Sequence, residues 1–367
     1  MGFTVIILCL TLFYAGVISV LFVGLSRLRT ATTSRQLPVS VIIAARNEGR
    51  NIRKCLNALI SQEYPKQLFE VIVVDDRSTD TTADIVQSFQ EQCDNIRLIR
   101  IQTIASNLPP KKYALTKGIE ASTNEILFFT DADCTPPPKW ISGMLKYFDE
   151  DVGVVAGCSP YADKEGGLTT FARYENLKSA IGAAGSIGIG RAYMCVGRNL
   201  AYRKRVFERV NGFETTKQSI SGDDDLFLQT VRKKTRWKIR YAVSPDTFVP
   251  TNAPQNLKGY LGQKKRHFSA GAYYMRTTQI LFFFFHLTNV LLLAAAIASI
   301  FYFSIFKMGL ALFILKLLFD FALLLKGSAI FGQQSLLKYF LPLEIIYIIY
   351  NTAIGPLGLL GKFTWKP

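Results

Sequence analysis

Ile126-Leu-Phe-Phe-Thr-Asp-Ala-Asp-Cys-Thr-Pro-Pro-Pro138 is the stretch on which the reading of this chain turns. Its apolar run, Ile126 to Phe129, stops at two carboxylates one residue apart, Asp131 and Asp133. The three prolines that follow end any strand or helix, because proline lacks the N–H that a ladder needs. A buried strand that closes on a pair of acids at a forced turn is a good place to hold a divalent cation. Mg²⁺ takes one or two carboxylates and leaves its other positions to water and substrate phosphates. A solvated loop with two chance acids has the same local signature, so the flanking segments must decide.

The segments upstream repeat the design. Pro38-Val-Ser-Val-Ile-Ile-Ala-Ala-Arg-Asn-Glu48 is a nearly continuous apolar run ending in Arg46, Asn47 and Glu48, as a strand buried on both faces does. Asn47 or Gly49 can open the next helix, over 51–62, whose Ile52, Leu56, Leu59 and Ile60 recur at helical spacing. Glu70-Val-Ile-Val-Val-Asp-Asp76 is a second strand with acids at its end, and Ser78 to Asp80 cap a helix over 81–92. A third strand covers 96–101, and a Pro-Pro-Lys-Lys loop carrying Lys111 leads into another helix. Strand and helix alternating with short loops predict a doubly wound parallel sheet, which binds ligands outside the carboxyl ends of its strands. Asn47, Glu48, Asp75, Asp76, Asp131 and Asp133 all fall at those ends. Neither G-x-G-x-x-G nor the phosphate loop G-x-x-x-x-G-K-[ST] is present, so a nicotinamide, flavin or P-loop site has no support.

Downstream, the pattern predicts a helix over 140–148 and strands over 153–157 and 197–203. The stretch 182–190, with four Gly and two Ala and no periodicity, reads as a mobile or closely packed loop. Ser221-Gly-Asp-Asp-Asp-Leu226 has two equal readings. Acids at a helix N-terminus complement its dipole. Three adjacent carboxylates also repel one another, which can raise the pKa of one member toward that of a general base. Gln263, Arg266 and His267 follow at i, i+3 and i+4, on one helix face.

Composition sets the setting. The chain has 367 residues, 27 Phe and a formal charge of +16. Residues 3–25 contain no charge and are long enough to span a bilayer, and Arg27, Arg29 and Arg35 follow at once. No basic leader segment precedes that run, so it reads as a retained anchor rather than a signal peptide. Further apolar spans cover 280–306, 308–325 and 339–360, the second interrupted by Lys316 and Asp320, which are four apart and can pair. The chain thus divides into an N-terminal span (1–26), a polar middle (27–276) and C-terminal spans (277–367). Basic residues crowd the ends of the middle segment, which places it on the cytoplasmic side of a bacterial inner membrane. Six cysteines without paired spacing argue against a disulfide framework and against a zinc site.

Taken in order, these segments resemble the membrane-bound members of glycosyltransferase family 2. The resemblance runs from about Pro38 to Gly271 and rests on Ala45-Arg-Asn-Glu48, Val74-Asp-Asp-Arg-Ser-Thr-Asp80, Lys111, Asp131-Ala-Asp133, Gly222-Asp-Asp224 and Gln263-x-x-Arg266. It implies a GT-A-type, Rossmann-like mixed sheet in an α/β catalytic domain. It further implies that Asp76 reads the uracil edge of a UDP-sugar and that Asn47, Glu48 and Lys111 line the nucleotide pocket. Asp131 and Asp133 become the DxD pair on Mg²⁺ or Mn²⁺, Asp224 the general base with Asp223 beside it, and Gln263 and Arg266 the diphosphate-side pair. The family's motif there is QxxRW, and this chain has His267 in place of the acceptor-side Trp. The expected partners are a nucleotide-sugar donor, a lipid acceptor such as a hydroxylated lipid or polyprenyl phosphate, and the bilayer, with no nucleic acid. A processive polysaccharide synthase is the alternative, which His267 and the small number of spans weaken. A non-enzymatic receptor or transport component is a further one, which the intact acids disfavour.

Overall fold

A computed structural model describes residues 2–29, 36–104 and 107–359. Arg35 of the first basic flank and residue 360 of the last predicted span lie outside the described residues. The elements run α1 (Gly2–Ser26), β1 (Val39–Ala45), α2 (Ile52–Ile60), β2 (Phe69–Asp76), α3 (Thr82–Gln90), β3 (Ile96–Ile101), α4 (Pro110–Ala121) and β4 (Ile126–Phe129). Then come α5 (Trp140–Leu145), β5 (Val152–Gly157), α6 (Gly167–Gly188), β6 (Leu200–Arg203), α7 (Lys204–Arg209), α8 (Asp225–Lys234), β7 (Lys238–Ala242) and α9 (Leu257–Ser269). The helices α10 (Arg276–Phe301), α11 (Phe303–Ile330) and α12 (Phe340–Leu359) follow.

The seven strands form one sheet in the order β3-β2-β1-β4-β6-β5-β7. Strands alternate their side chains between faces, and each face here has its own core. Ile42 and Ala44 of β1 and Leu127 and Phe129 of β4 enter one cluster, while Val41, Ile43, Ile126 and Phe128 enter the other. A strand with both faces covered must be largely apolar, which is why β4, and β1 apart from Ser40, read as hydrophobic runs.

The sheet is mixed rather than wholly parallel, as the family resemblance implies and the strand–helix alternation alone does not. β1, β2, β3 and β4 pair in parallel, but β6 runs antiparallel to both β4 and β5. Strand order reverses between β1 and β4, so the crevice at their carboxyl ends lies at a topological switch point. The antiparallel register Phe129↔Leu200 and Ala156↔Leu200 brings the start of β6 to that same edge. The segment 197–203 is accordingly a 3₁₀ turn, Gly197–Asn199, followed by a four-residue strand.

The glycine-rich stretch 182–190 is not a loop. Residues 182–188 are the last two turns of α6, and their small side chains serve helix packing. A Cβ on Gly185 would lie 2.9 Å from Leu21 O and one on Gly188 2.0 Å from Gly24 O, both in α1. The helix needs a smooth, small surface where α1 crosses it, and that requirement erases the apolar periodicity by which a helix is usually seen.

Among the described residues, four helices are long and apolar enough to cross a membrane: Val5–Ser26, Arg276–Phe301, Lys307–Ile330 and Gln334–Gly358. The span predicted over 280–306 divides at Tyr302, whose backbone leaves the helical region at φ −133°, ψ 55°. Lys316 and Asp320 do pair, at 2.7 Å, and they are part of a larger buried set. Glu344 of α12 accepts from Lys316 at 2.8 Å, from Lys178 of α6 at 2.6 Å and from Tyr174 of α6 at 2.6 Å, while Tyr14 of α1 donates to Asp320 at 2.7 Å. Two ammonium and two carboxylate groups thus balance where α1, α6, α11 and α12 meet. The main apolar cluster also joins Tyr14 and Ile18 of α1 to Leu127 and Phe129 of the sheet.

Candidate active site

A cleft of about 450 Å³ opens at the carboxyl ends of β1 and β4. Glu48, Asp131 and Asp133 border it from the strand ends, Lys111 from the first turn of α4, and Asp224 and Asp225 from the N-terminus of α8. Gln263, Arg266 and His267 close it from α9, on one face as their spacing predicts.

Each wall is fixed by local chemistry. α4 starts with Pro110 at its first helical position, where proline's missing N–H costs nothing. That start aims Lys111 at the cleft: its Nζ lies 3.3 Å from Asp131 Oδ1 and 3.0 Å from Asp223 Oδ2. The neighbouring Lys112 turns inward and is fully buried, donating to Thr216 O at 2.7 Å and Ser219 O at 2.9 Å. Burial lowers its pKa to about 8. Sequence reasoning missed this lysine, which tethers the loop leading to the acids.

The acidic triplet supplies a helix cap and, through Asp224 and Asp225, part of the cleft wall. Gly222 has φ +80°, which glycine adopts without strain, and it turns the chain so that Asp224 becomes the N-cap of α8. Asp224 Oδ1 accepts from Asp225 N at 2.7 Å, and its Oδ2 accepts from Gly197 N at 2.8 Å. Asp225 accepts from the Tyr274 hydroxyl, in the segment just ahead of α10. These partners separate the three carboxyls electrostatically. Desolvation would raise Asp223, yet Lys111 holds it below its ordinary value. Desolvation and the charge of Asp223 raise Asp224, while desolvation and Asp224 raise Asp225 well above the usual range.

Asp133 is raised by desolvation and by Asp131. A desolvated carboxylate with a second one beside it suits a divalent cation, which relieves its burial and the repulsion together. Among the described residues there is no group of three or more His, Cys, Asp or Glu side chains arranged for a metal. The protein's share of a metal shell here would be Asp131 and Asp133 alone, a set that fits Mg²⁺ or Mn²⁺ completed by water and phosphate oxygens.

The remaining predicted residues lie apart from the cleft wall. Asn47, at φ +53°, uses its Oδ1 to accept from Thr79 N at 2.9 Å and its own N–H to donate to Ser78 Oγ at 2.9 Å, so it ties the β1 loop to the β2 loop. Asp76 is fully buried and accepts from Arg77 Nε at 2.8 Å, with Arg46 Nη1 3.6 Å away. Asp223 faces Lys111 in a small side pocket. Other site residues had no signal in the sequence. Arg198 lines the cleft, and Glu175 of α6 pairs with Lys264 of α9, which sets the turn of α9 that presents Gln263 and Arg266. All of them depend on which strands and helices become neighbours.

The mixed sheet, with acids at its switch point and a basic helix facing them, is the GT-A arrangement. A family model described as glycosyl transferase family 2 matches residues 40–210, and one described as glycosyl transferase family group 2 matches residues 126–325. The chain is 35% identical over 187 residues to glycosyltransferase AglE of Haloferax volcanii, covering 51% of this chain and 58% of that protein. It is 31% identical over 118 residues to a beta-monoglucosyldiacylglycerol synthase of Nostoc sp., covering 32% of this chain and 25% of that protein. Neither relative is matched over two thirds of its own length. The fold is similar to that of the mannosyltransferase PcManGT from Pyrobaculum calidifontis, solved with GDP-Man and Mn²⁺, at a TM-score of 0.56 and 20% identity over 90% of this chain and 99% of that one. The chain belongs to the family 2 glycosyltransferases.

Proposed function

We propose that this protein transfers a sugar from a nucleotide-sugar, a UDP-sugar in the first instance, to a hydroxyl of a membrane-borne lipid, with inversion at the anomeric carbon. The observation that carries this reading is the gathering of Asp131, Asp133, Lys111, Asp224, Gln263 and Arg266 around one cleft. Asp131 and Asp133 would hold Mg²⁺ or Mn²⁺, which when bound neutralises charge on the departing diphosphate. Lys111 and Arg266 add fixed positive charge beside it. Asp224 takes the proton of the attacking hydroxyl, and attack opposite the diphosphate inverts the centre. Glu48, Asn47 and Asp76 form the nucleoside side, where Asp76 meets the base once Arg77 and Arg46 yield its carboxylate.

The lipid acceptor is supported by the setting: residues 27–276 would form a cytosolic catalytic unit carried on spans at 1–26 and 277–367. It is also supported by the Nostoc relative, whose name describes a glucosyl-lipid synthase. His267 in place of a stacking Trp favours a single transfer over a growing polysaccharide. The test incubates purified full-length protein with Mn²⁺, radiolabelled UDP- and GDP-sugars and a total lipid extract. The expected product is labelled lipid of discrete size. A labelled polymer would overturn the single-transfer reading, and absence of transfer or hydrolysis with every donor would overturn the enzymatic one.

A further inference from the structure

We propose that the Gly197–Asn199 turn is a working part of the donor site and that Arg198 is the side chain that receives the donor's diphosphate. This rests on the sugar-transfer reading above. The turn stands where the N-terminal end of β6 meets the carboxyl ends of β4 and β5, one edge of the cleft. Its three residues do three different things. The Gly197 N–H orients Asp224 at 2.8 Å. Asn199 is fully buried and fastens the turn, donating to Cys158 O at 2.6 Å and Thr247 O at 2.7 Å and accepting from Trp140 Nε1 at 3.0 Å. Arg198 lies between them and lines the cleft with Asp131 and Asp133.

The guanidinium is held ready for a ligand. Its Nε donates to Ser159 Oγ at 2.7 Å and its Nη2 to Ser159 O at 3.4 Å, and it lies 5.7 Å from the centre of the Tyr161 ring. Ser159 is itself buried and donates to Val249 O at 2.6 Å, so the anchor does not move freely. Among the described residues no carboxylate lies within 4.0 Å of this guanidinium, whereas Lys111 is shared by two acids and Lys264 is taken by Glu175. Ser159 uses part of a five-donor fork. A half-buried arginine with uncommitted donors, a fixed plane and no carboxylate in contact is built for a phosphate-type anion. As the sugar C1–O bond breaks, its electron pair passes to the diphosphate oxygen beside Arg198. The acceptor oxygen makes the new bond to C1, and its proton goes to Asp224.

Calorimetric titration of the detergent-solubilised full chain with UDP, GDP and their monophosphates, each with Mn²⁺, tests this. The wild type should bind one diphosphate well above its monophosphate. Arg198→Gln should weaken that diphosphate at least tenfold and leave the monophosphate within about twofold, and Arg198→Lys should fall between. Ser159→Ala keeps the charge but frees its anchor, so a smaller loss of the same selectivity is expected and decides the matter should Arg198→Gln misfold. An unchanged diphosphate-to-monophosphate ratio in Arg198→Gln and Ser159→Ala overturns the assignment of Arg198. Failure of the wild type to bind any nucleotide overturns the transfer reading beneath it.

Discussion

Asp224 Oδ2 accepts a hydrogen bond from the Gly197 backbone N–H at 2.8 Å, tying the N-cap of α8 to the turn that opens β6. A carboxylate fixed by two backbone donors has little freedom to rotate away from an incoming hydroxyl. Asp224→Asn keeps the shape and removes the proposed base, and turnover should fall by about 10²–10⁴-fold, the usual range for one general base. Desolvation and Asp223 raise the Asp224 pKa, and the base must be ionised to work. Activity should therefore be lost as pH falls through a value above about 3.9, the ordinary aspartate figure. A pH profile of kcat/KM with its acid limb at or below that figure would contradict the assignment.

Asp133→Ala removes one of the two carboxylates proposed to hold the cation. The variant should need a higher Mn²⁺ or Mg²⁺ concentration for half-maximal turnover, and EDTA should silence the wild type until either ion is returned. Turnover that survives exhaustive chelation would refute metal dependence.

Among the described residues Lys112 bonds to the loop carbonyls of Thr216 and Ser219 and to the Thr216 hydroxyl, so it steadies the loop that leads to the acids. Lys112→Met should lower kcat while KM for the donor moves little. Its folded pKa of about 8 lies below the unfolded value of about 10.4. Between those values the unfolded chain binds more protons, so this residue makes stability rise with pH. Thermal scans at pH 8 and pH 10 should show the wild type gaining on Lys112→Met; a constant gap would refute the buried-lysine account.

Glu344 answers two ammonium groups, Lys178 and Lys316, at 2.6 and 2.8 Å. Removing one member of a buried ionic set leaves charge without a partner, at a cost of about 3–5 kcal/mol. Glu344→Ala should lower the unfolding temperature in detergent more than the double replacement Lys316→Met with Asp320→Leu, which leaves Lys178 and Glu344 as a balanced pair. The reverse order would mean the network does not share its charge.

A Cβ on Gly24 would lie 1.9 Å from Gly185 O, whereas one on Gly16 of the same helix meets nothing within 4 Å. Gly24→Leu should force α1 and α6 apart and cost at least the roughly 1–3 kcal/mol of ordinary overpacking. Gly16→Leu should be tolerated. Equal yields of monodisperse protein from the two variants would show that α1 does not depend on this contact.

The sequence by itself determined the parts that are local. Largely apolar runs ending in acids revealed β1, β2 and β4, because a strand covered on both faces has to be apolar along most of its length. The i, i+3, i+4 spacing put Gln263, Arg266 and His267 on one side of α9, and the same rule paired Lys316 with Asp320. Long apolar stretches marked the four spans.

Tertiary structure decided the rest. Nothing in a linear pattern states that β6 runs antiparallel, yet that direction carries Arg198 to the cleft and Gly197 to Asp224. Nothing local distinguishes Lys111 from Lys112, whose opposite fates follow from which side of α4 faces the cleft and which faces the Thr216–Ser219 loop. The glycine-rich end of α6 hid its helix for a related reason: its surface answers α1, a partner more than 150 residues earlier in the chain. Asp131 and Asp133 could be located from sequence because a strand end is a local event. Which groups face them is a matter of distance between segments that only the folded chain brings together.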